Sequence, residues 1–147
     1  MEGKTILLVE DNPDHQELTK RALRTLDILH FVMVVGDGQE ARDYLLGQGG
    51  WSARDTRVTP AVVLLDLKLG RMDGIELLRK IRAEERTKLV PVAILTSSRE
   101  ERDIVRSYAA GANSYIRKSL NFEEYCSALR GAATYWLEVN VPPPGAA

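Results

Sequence analysis

Four short apolar runs of this chain each end on residues able to do chemistry. "TILLV" (Thr5 to Val9) runs into Glu10 and Asp11, and "AVVLL" (Ala61 to Leu65) into Asp66. "PVAIL" (Pro91 to Leu95) runs into Thr96 and Ser97, and "NSYIR" (Asn113 to Arg117) into Lys118. If these runs are neighbouring strands, one sheet edge gathers three carboxylates, two hydroxyls and one ammonium. Clustered carboxylates repel one another and raise their own pKa values unless a cation intervenes. Cysteine ligands are missing, since Cys126 is the single cysteine, and both histidines, His15 and His30, are expected to lie away from the strand ends. An all-oxygen set suits Mg²⁺, which keeps several waters and accepts phosphate oxygens. Lys118 and the Thr96 hydroxyl then read as phosphate partners. Asp66 is the natural nucleophile, because an aspartate can form an acyl phosphate. Glu10 and Asp11 would hold the metal, which neutralises the oxygens of a transferring phosphoryl group.

Each residue has a plainer reading when taken alone. Asp11 helps cap a helix, Asp66 opens a turn, Thr96 is a β-branched strand end and Lys118 is a surface lysine. Four strand ends carrying matched chemistry make the joint reading the stronger one.

The elements that must position these groups alternate along the chain. After the first strand, Asn12 is a fair N-cap with Pro13 at the first helical position, and Leu18, Ala22, Leu23 and Leu26 follow at helical spacing. "HFVMVV" (His30 to Val35) is a second strand closed by the turn "GDG", and a helix over about Gln39 to Leu46 turns Ala41, Tyr44 and Leu45 inward. A Gly-rich polar loop, Gly47 to Pro60, precedes the strand that ends on Asp66. Helices are expected over about Gly74 to Glu85 and around Ile104, Val105, Tyr108 and Ala109. Asn121 can cap a last helix running to about Glu138. Strand and helix thus alternate five times, the pattern of a parallel sheet with helices on both faces.

The chain has 147 residues, the size of one domain, and its core is expected over about residues 4–138 with a flexible Pro-rich tail at 139–147. Twenty basic residues against 21 acidic ones leave a formal net charge of −1, which lacks the basic footprint of a nucleic-acid binder. No apolar run approaches the roughly 20 residues of a membrane helix and no signal peptide is recognised, so a cytoplasmic protein is expected.

Read together, "ILLVEDNPDH", "GDGQEA", "LLDLKLGRMDGIELLRKIR", "PVAILTSS" and "GANSYIRK" resemble the receiver domain of two-component response regulators, from about Lys4 to Glu138. The resemblance implies a flavodoxin-like (βα)5 sheet of strand order 2-1-3-4-5, Mg²⁺ as cofactor and a sensor histidine kinase as phosphodonor. It makes Asp66 the phosphoacceptor and Glu10 and Asp11 the acidic pair around the metal, with the backbone carbonyl of Lys68 a further ligand. Thr96 becomes the switch hydroxyl, Tyr115 the switch aromatic and Lys118 the phosphate-binding lysine. Two positions depart from the pattern. Ser119 follows Lys118 where receivers usually carry a proline joined by a cis peptide, and a cis bond before a non-proline residue costs roughly 3–4 kcal/mol. Gly70 stands where the loop after the acceptor usually has proline, which implies a looser loop. The long loop before the third strand, "KS" for "KP", and a last helix extended through "YWLEV" are similar to single-domain regulators paired with phytochrome kinases.

Without a DNA-binding or enzymatic domain in view, output is expected to pass through the surface. On the last helix, Phe122, Cys126, Leu129, Ala133 and Trp136 or Leu137 form one apolar stripe, and Tyr125, Ala132, Tyr135 and Val139 a second beside it. The second stripe points to a homodimer through the fourth helix, fifth strand and last helix, with Tyr125, Tyr135, Trp136 and Val139 at the interface. Three rival functions stand beside the phosphoacceptor. A flavin-binding protein of similar topology is opposed by acidic strand ends that would repel a cofactor phosphate, and two more remain. One is a Mg²⁺-dependent phosphatase working through an aspartyl phosphate, which would place an acid where "DLK" has Lys68. The other is a degenerate receiver serving only as an interaction module, which would lack one of the acidic residues, the acceptor or the lysine.

Overall fold

The computed structural model describes residues 4–144. Five parallel strands, β1 (Lys4–Val9), β2 (His30–Val35), β3 (Val62–Leu65), β6 (Val92–Thr96) and β7 (Ser114–Arg117), form one sheet in the order β2-β1-β3-β6-β7. Counted among sheet strands alone this is 2-1-3-4-5, as the resemblance implied. Two short strands, β4 (Lys68–Leu69) and β5 (Met72–Asp73), pair antiparallel in the loop after β3.

Helices cover both faces because the central strands are apolar on both sides. Ile6, Leu8, Val62 and Leu64 face α1 (Pro13–Arg24) and α5 (Phe122–Thr134), meeting Ala22, Leu23, Cys126 and Leu129. Leu7, Val9, Val63 and Leu65 face the other way, onto α2 (Gly38–Leu46) and α3 (Gly74–Ala83), meeting Ala41, Tyr44, Leu77, Leu78 and Ile81. Each fully buried Leu or Val contributes roughly 1.5–3 kcal/mol, so β3 is a rigid central beam. The remaining helix, α4 (Glu101–Ala109), lies beside β7. Among the described residues no helix is long and apolar enough to cross a membrane.

Asn12 and Asn121 cap α1 and α5 as expected, accepting from the Asp14 and Glu124 backbone N–H groups at 2.9 and 3.1 Å. Other expectations are corrected. On α4, Val105, Tyr108 and Ala109 face solvent and Ser107 is the buried residue, so that helix turns much of its apolar surface outward. α3 ends at Ala83, and α5 ends at Thr134 before a π-helical turn over Tyr135–Val139. The loop over residues 47–60 is tied down by Arg54. Arg54 stacks 4.3 Å over the Tyr44 ring and donates to the carbonyls of Tyr44 and Val58 at 2.6 and 2.8 Å. In the tail, Pro143 and Pro144 line a cleft with Thr59, Arg86, Leu89 and Val90, while residues 145–147 lie outside the described residues.

Tyr125 belongs to the core and not to an outer stripe. It is 4% exposed, and its phenol lies 2.5 Å from the Thr19 hydroxyl of α1. Burial pushes the phenol up to about 12 from its usual 10, against the opposing pull of the Thr19 bond. Its folded pKa thus exceeds the unfolded one, so the stability it contributes is whole below pH 10 and is lost as pH rises towards 12. The expected loss is about 1.4 kcal/mol per pH unit across that window. Tyr125→Phe is expected to abolish this alkaline slope in urea unfolding. At neutral pH it should cost about 1–2 kcal/mol by stranding the Thr19 hydroxyl.

Candidate functional site

The parallel ladder continues one residue past the strands and thereby fixes the chemistry. The Glu10 N–H donates to Val35 O and the Asp66 N–H to Val9 O, each at 3.1 Å, and the Lys118 N–H donates to Thr96 O at 2.8 Å. Three functional side chains therefore start from backbone held as rigidly as the sheet itself. α3 begins immediately below. A Cβ on Gly74 would clash with the Asp66 carbonyl oxygen and with Leu67, so only glycine lets that helix start close under the acceptor.

At the centre stands the Lys118 ammonium. It lies 2.6 Å from Glu10 Oε1, 3.1 Å from His15 Nδ1 and 3.3 Å from Asp66 Oδ2. An ammonium has three N–H donors, and here three acceptors surround it. The site is largely dry: Glu10 is 2% exposed, Asp66 8% and the Lys118 side chain 10%. Burial holds the Glu10 carboxyl above its usual range. Lys118 opposes that shift, and the neighbouring Asp66 charge adds to it. One ammonium thus serves two buried carboxylates, and the pocket remains short of positive charge.

His15 is a site residue the sequence reading placed elsewhere. It occupies the third position of α1, and the Asn12 cap swings that first turn over the end of β1. Glu10, His15 and Asp66 lie within 4.8 Å of one another, a spacing able to hold a cation, and the Lys118 ammonium supplies one there. Asp11 is exposed and is not one of these three; its Oδ2 faces the Gly70 turn.

Asp66 Oδ1 accepts from the Lys68 N–H at 3.3 Å, and Lys68 pairs with Asp73 across the small hairpin. Gly70 there takes φ +61 while Arg71 does not have a positive φ, the pattern of a type II′ turn. Proline cannot adopt that angle, so glycine makes this loop a tight hairpin rather than a looser one. Thr96 is buried and its Oγ1 accepts from the Ser98 N–H at 3.3 Å. The half-buried Tyr115 hydroxyl donates to Ser98 O at 3.0 Å, and the Ser98 hydroxyl donates to Asp103 at 2.5 Å. Burial raises the Tyr115 phenol above its ordinary value. The Lys118–Ser119 peptide is trans, as are all peptides among the described residues. Ser119 Oγ donates to Glu124 at 2.9 Å and accepts from the Asn121 N–H at 3.1 Å, so it joins the cap of α5.

This fold and this edge are those of the response regulator receiver domain, whose family model matches residues 6–130, and the chain belongs to that family. Among individual relatives, it is 35% identical to the response regulator Rcp1 of Synechocystis over 95% of this chain and 93% of that protein. The Mn(2+)-bound structure of Rcp1 superposes with a TM-score of 0.85, covering 95% of this chain and 99% of that one. The phosphorylated cyanobacterial phytochrome response regulator RcpA is 36% identical with a TM-score of 0.88, covering 97% and 99% of the two chains. A probable methanogenesis regulatory protein, FilR2 of Methanothrix harundinacea, is 40% identical over 94% of this chain and 86% of its own length. The chain is thus related to the phytochrome response regulators.

Proposed function

We propose that this protein accepts a phosphoryl group on Asp66 from a phytochrome-type histidine kinase, in a Mg²⁺-dependent reaction in the cytoplasm. One observation carries the reading: the Lys118 ammonium is already aimed at Asp66 Oδ2 within a nearly dry, rigid strand-end site. An Asp66 oxygen attacks phosphorus as the donor P–N bond breaks, and the imidazole nitrogen leaves with that electron pair. Lys118 takes an equatorial phosphoryl oxygen, and the Thr96 hydroxyl a second. A divalent ion, when bound, neutralises charge on the transferring oxygens. The donor set fits one, because two buried carboxylates share a single ammonium, and the exposed Asp11 beside the Gly70 turn would add a third carboxylate. Glu10, Asp11, Asp66 and the Lys68 carbonyl would hold it. The Mn(2+)-bound relative supports a divalent site, and the phytochrome regulator among the relatives supports the kinase class. The protein catalyses only its own phosphorylation and dephosphorylation.

Incubation with Mg²⁺ and acetyl phosphate tests this. One hydroxylamine-labile phosphoryl group per chain, mapped to Asp66 and lost with chelator, is the expected result. Label on another residue overturns the assignment.

Signal leaves through association. Tyr115, hydrogen-bonded to the loop after β6, reports the state of Thr96 to α4. A two-fold dimer through α4, β7 and α5 would use the exposed Tyr135 and Val139 with the partly buried Trp136, and the outward Val105 and Tyr108. Sedimentation at micromolar concentration should show dimers in one phosphorylation state; a monomer in both removes the dimer from the reading.

A further inference from the structure

The ammonium at the heart of the site has one partner that the carboxylate chemistry does not require. Lysine only donates, so in this contact His15 Nδ1 is the acceptor at 3.1 Å. Of the three contacts, Glu10 and His15 are the closer and Asp66 is the longest. Asp66 is also the partner whose geometry must change when it is phosphorylated. Glu10 and His15 come from one short stretch: the residue after β1 and the first turn of α1. Asn12 joins them, accepting from the His15 N–H at 3.3 Å and donating its own N–H to Glu10 Oε2 at 3.2 Å. These two anchors are therefore fixed relative to each other, and they leave the third ammonium proton directed at the acceptor.

We propose that His15 is a positioning residue. It is a second anchor that holds the Lys118 ammonium so that one N–H points at Asp66 and at the phosphoryl oxygen that arrives there. With Glu10 alone, the four-carbon lysine stem can rotate the ammonium away from the acceptor, and Glu10 is itself the carboxylate a divalent ion would draw on. His15 Nδ1 gives the ammonium a second acceptor that is not among the ligands assigned to that ion. At 44% exposure the ring contributes little to the core, so its loss is read at Lys118 rather than in folding. This inference rests on the reading of Asp66 as phosphoacceptor, but its first test does not.

The test compares His15→Leu, which fills similar space without an acceptor, with His15→Asn, whose Oδ1 sits as many bonds from Cα as Nδ1. In metal-free protein without phosphodonor, acetylation of Lys118 by acetic anhydride is followed by mass spectrometry against a surface lysine, Lys4. An amine pinned by hydrogen bonds is a poor nucleophile. His15→Leu should therefore raise relative Lys118 reactivity about tenfold, while His15→Asn stays within about twofold of wild type. With Mg²⁺ and acetyl phosphate, His15→Leu should label about 3- to 10-fold more slowly, and His15→Asn should again restore the rate. Equal effects of the two variants, or none, overturn the proposal. If wild type takes no label while the reactivity pattern holds, the phosphoacceptor reading falls and the anchoring role stands.

Discussion

Asp66→Asn should reduce hydroxylamine-labile labelling by acetyl phosphate about a thousandfold or more, while leaving the protein as stable as before or more so. The loss follows because an amide oxygen is not a nucleophile towards phosphorus, and removal of a sole nucleophile costs about this much or more in other covalent mechanisms. The stability statement follows from the site itself. Asparagine keeps one acceptor oxygen in place of the two that serve the Lys68 N–H and the Lys118 ammonium, which retains Glu10 as its nearest partner, and it preserves the volume beneath the strand ends. What it removes is a buried negative charge that adds to the burial holding Glu10 above its usual pKa. Thermal unfolding should therefore show no loss, and a gain of up to about 1 kcal/mol, as expected where a site is built for chemistry at the expense of stability. Label persisting in the variant would move the acceptor elsewhere. A drop of several kcal/mol would mean that the Asp66 charge holds the fold together.

The contrast between Asp66 and His15 shows what the chain makes legible and what it does not. A strand end is read directly from sequence: an apolar run stops, and the next side chain sits on the sheet edge with its backbone in the ladder. Glu10, Asp66, Thr96 and Lys118 could all be placed by that logic, and their meeting needed only the parallel order. His15 needed a rotation angle. Its place three residues past the Asn12 cap puts it in the first turn of α1, but which way that turn leans depends on how α1 packs against β1 and α5. The same ambiguity governs α5 and α4. Tyr125 and Tyr135 look alike in an apolar helix, and only the Thr19 hydroxyl opposite makes the first a core residue. On α4, only the packing beside β7 decides that the small Ser107 is buried while Val105 and Tyr108 are exposed. Gly70 is a third kind of case. Its flexibility in an unfolded chain suggests looseness, while in the folded chain the same freedom permits the one positive φ that closes a two-residue hairpin.

Lys118→Met is expected to destabilise the protein by about 3 kcal/mol at pH 8 and far less at pH 5. Methionine keeps most of the stem's length and apolar contacts, so the loss isolates the ammonium. Without it, Glu10 and Asp66 face each other in a dry pocket with no cation between them. Glu10 answers by holding its proton more tightly, and its folded pKa, already raised by burial, rises further. A carboxyl whose folded pKa exceeds its unfolded value contributes stability that is whole below about 4.5 and is lost as pH rises through the folded value. The penalty of the variant must therefore grow with pH across that window, opposite to the usual behaviour of a salt-bridged acid. Urea unfolding of wild type and variant at the two pH values measures it directly. Glu10→Gln added to Lys118→Met should recover most of the loss at pH 8, since the amide is neutral there. Millimolar Mg²⁺ should recover part of it in the single variant by supplying the missing positive charge to the folded state alone. A penalty that is the same at both pH values, and indifferent to Mg²⁺ and to Glu10→Gln, would mean that Lys118 stabilises the fold through packing and not through its charge.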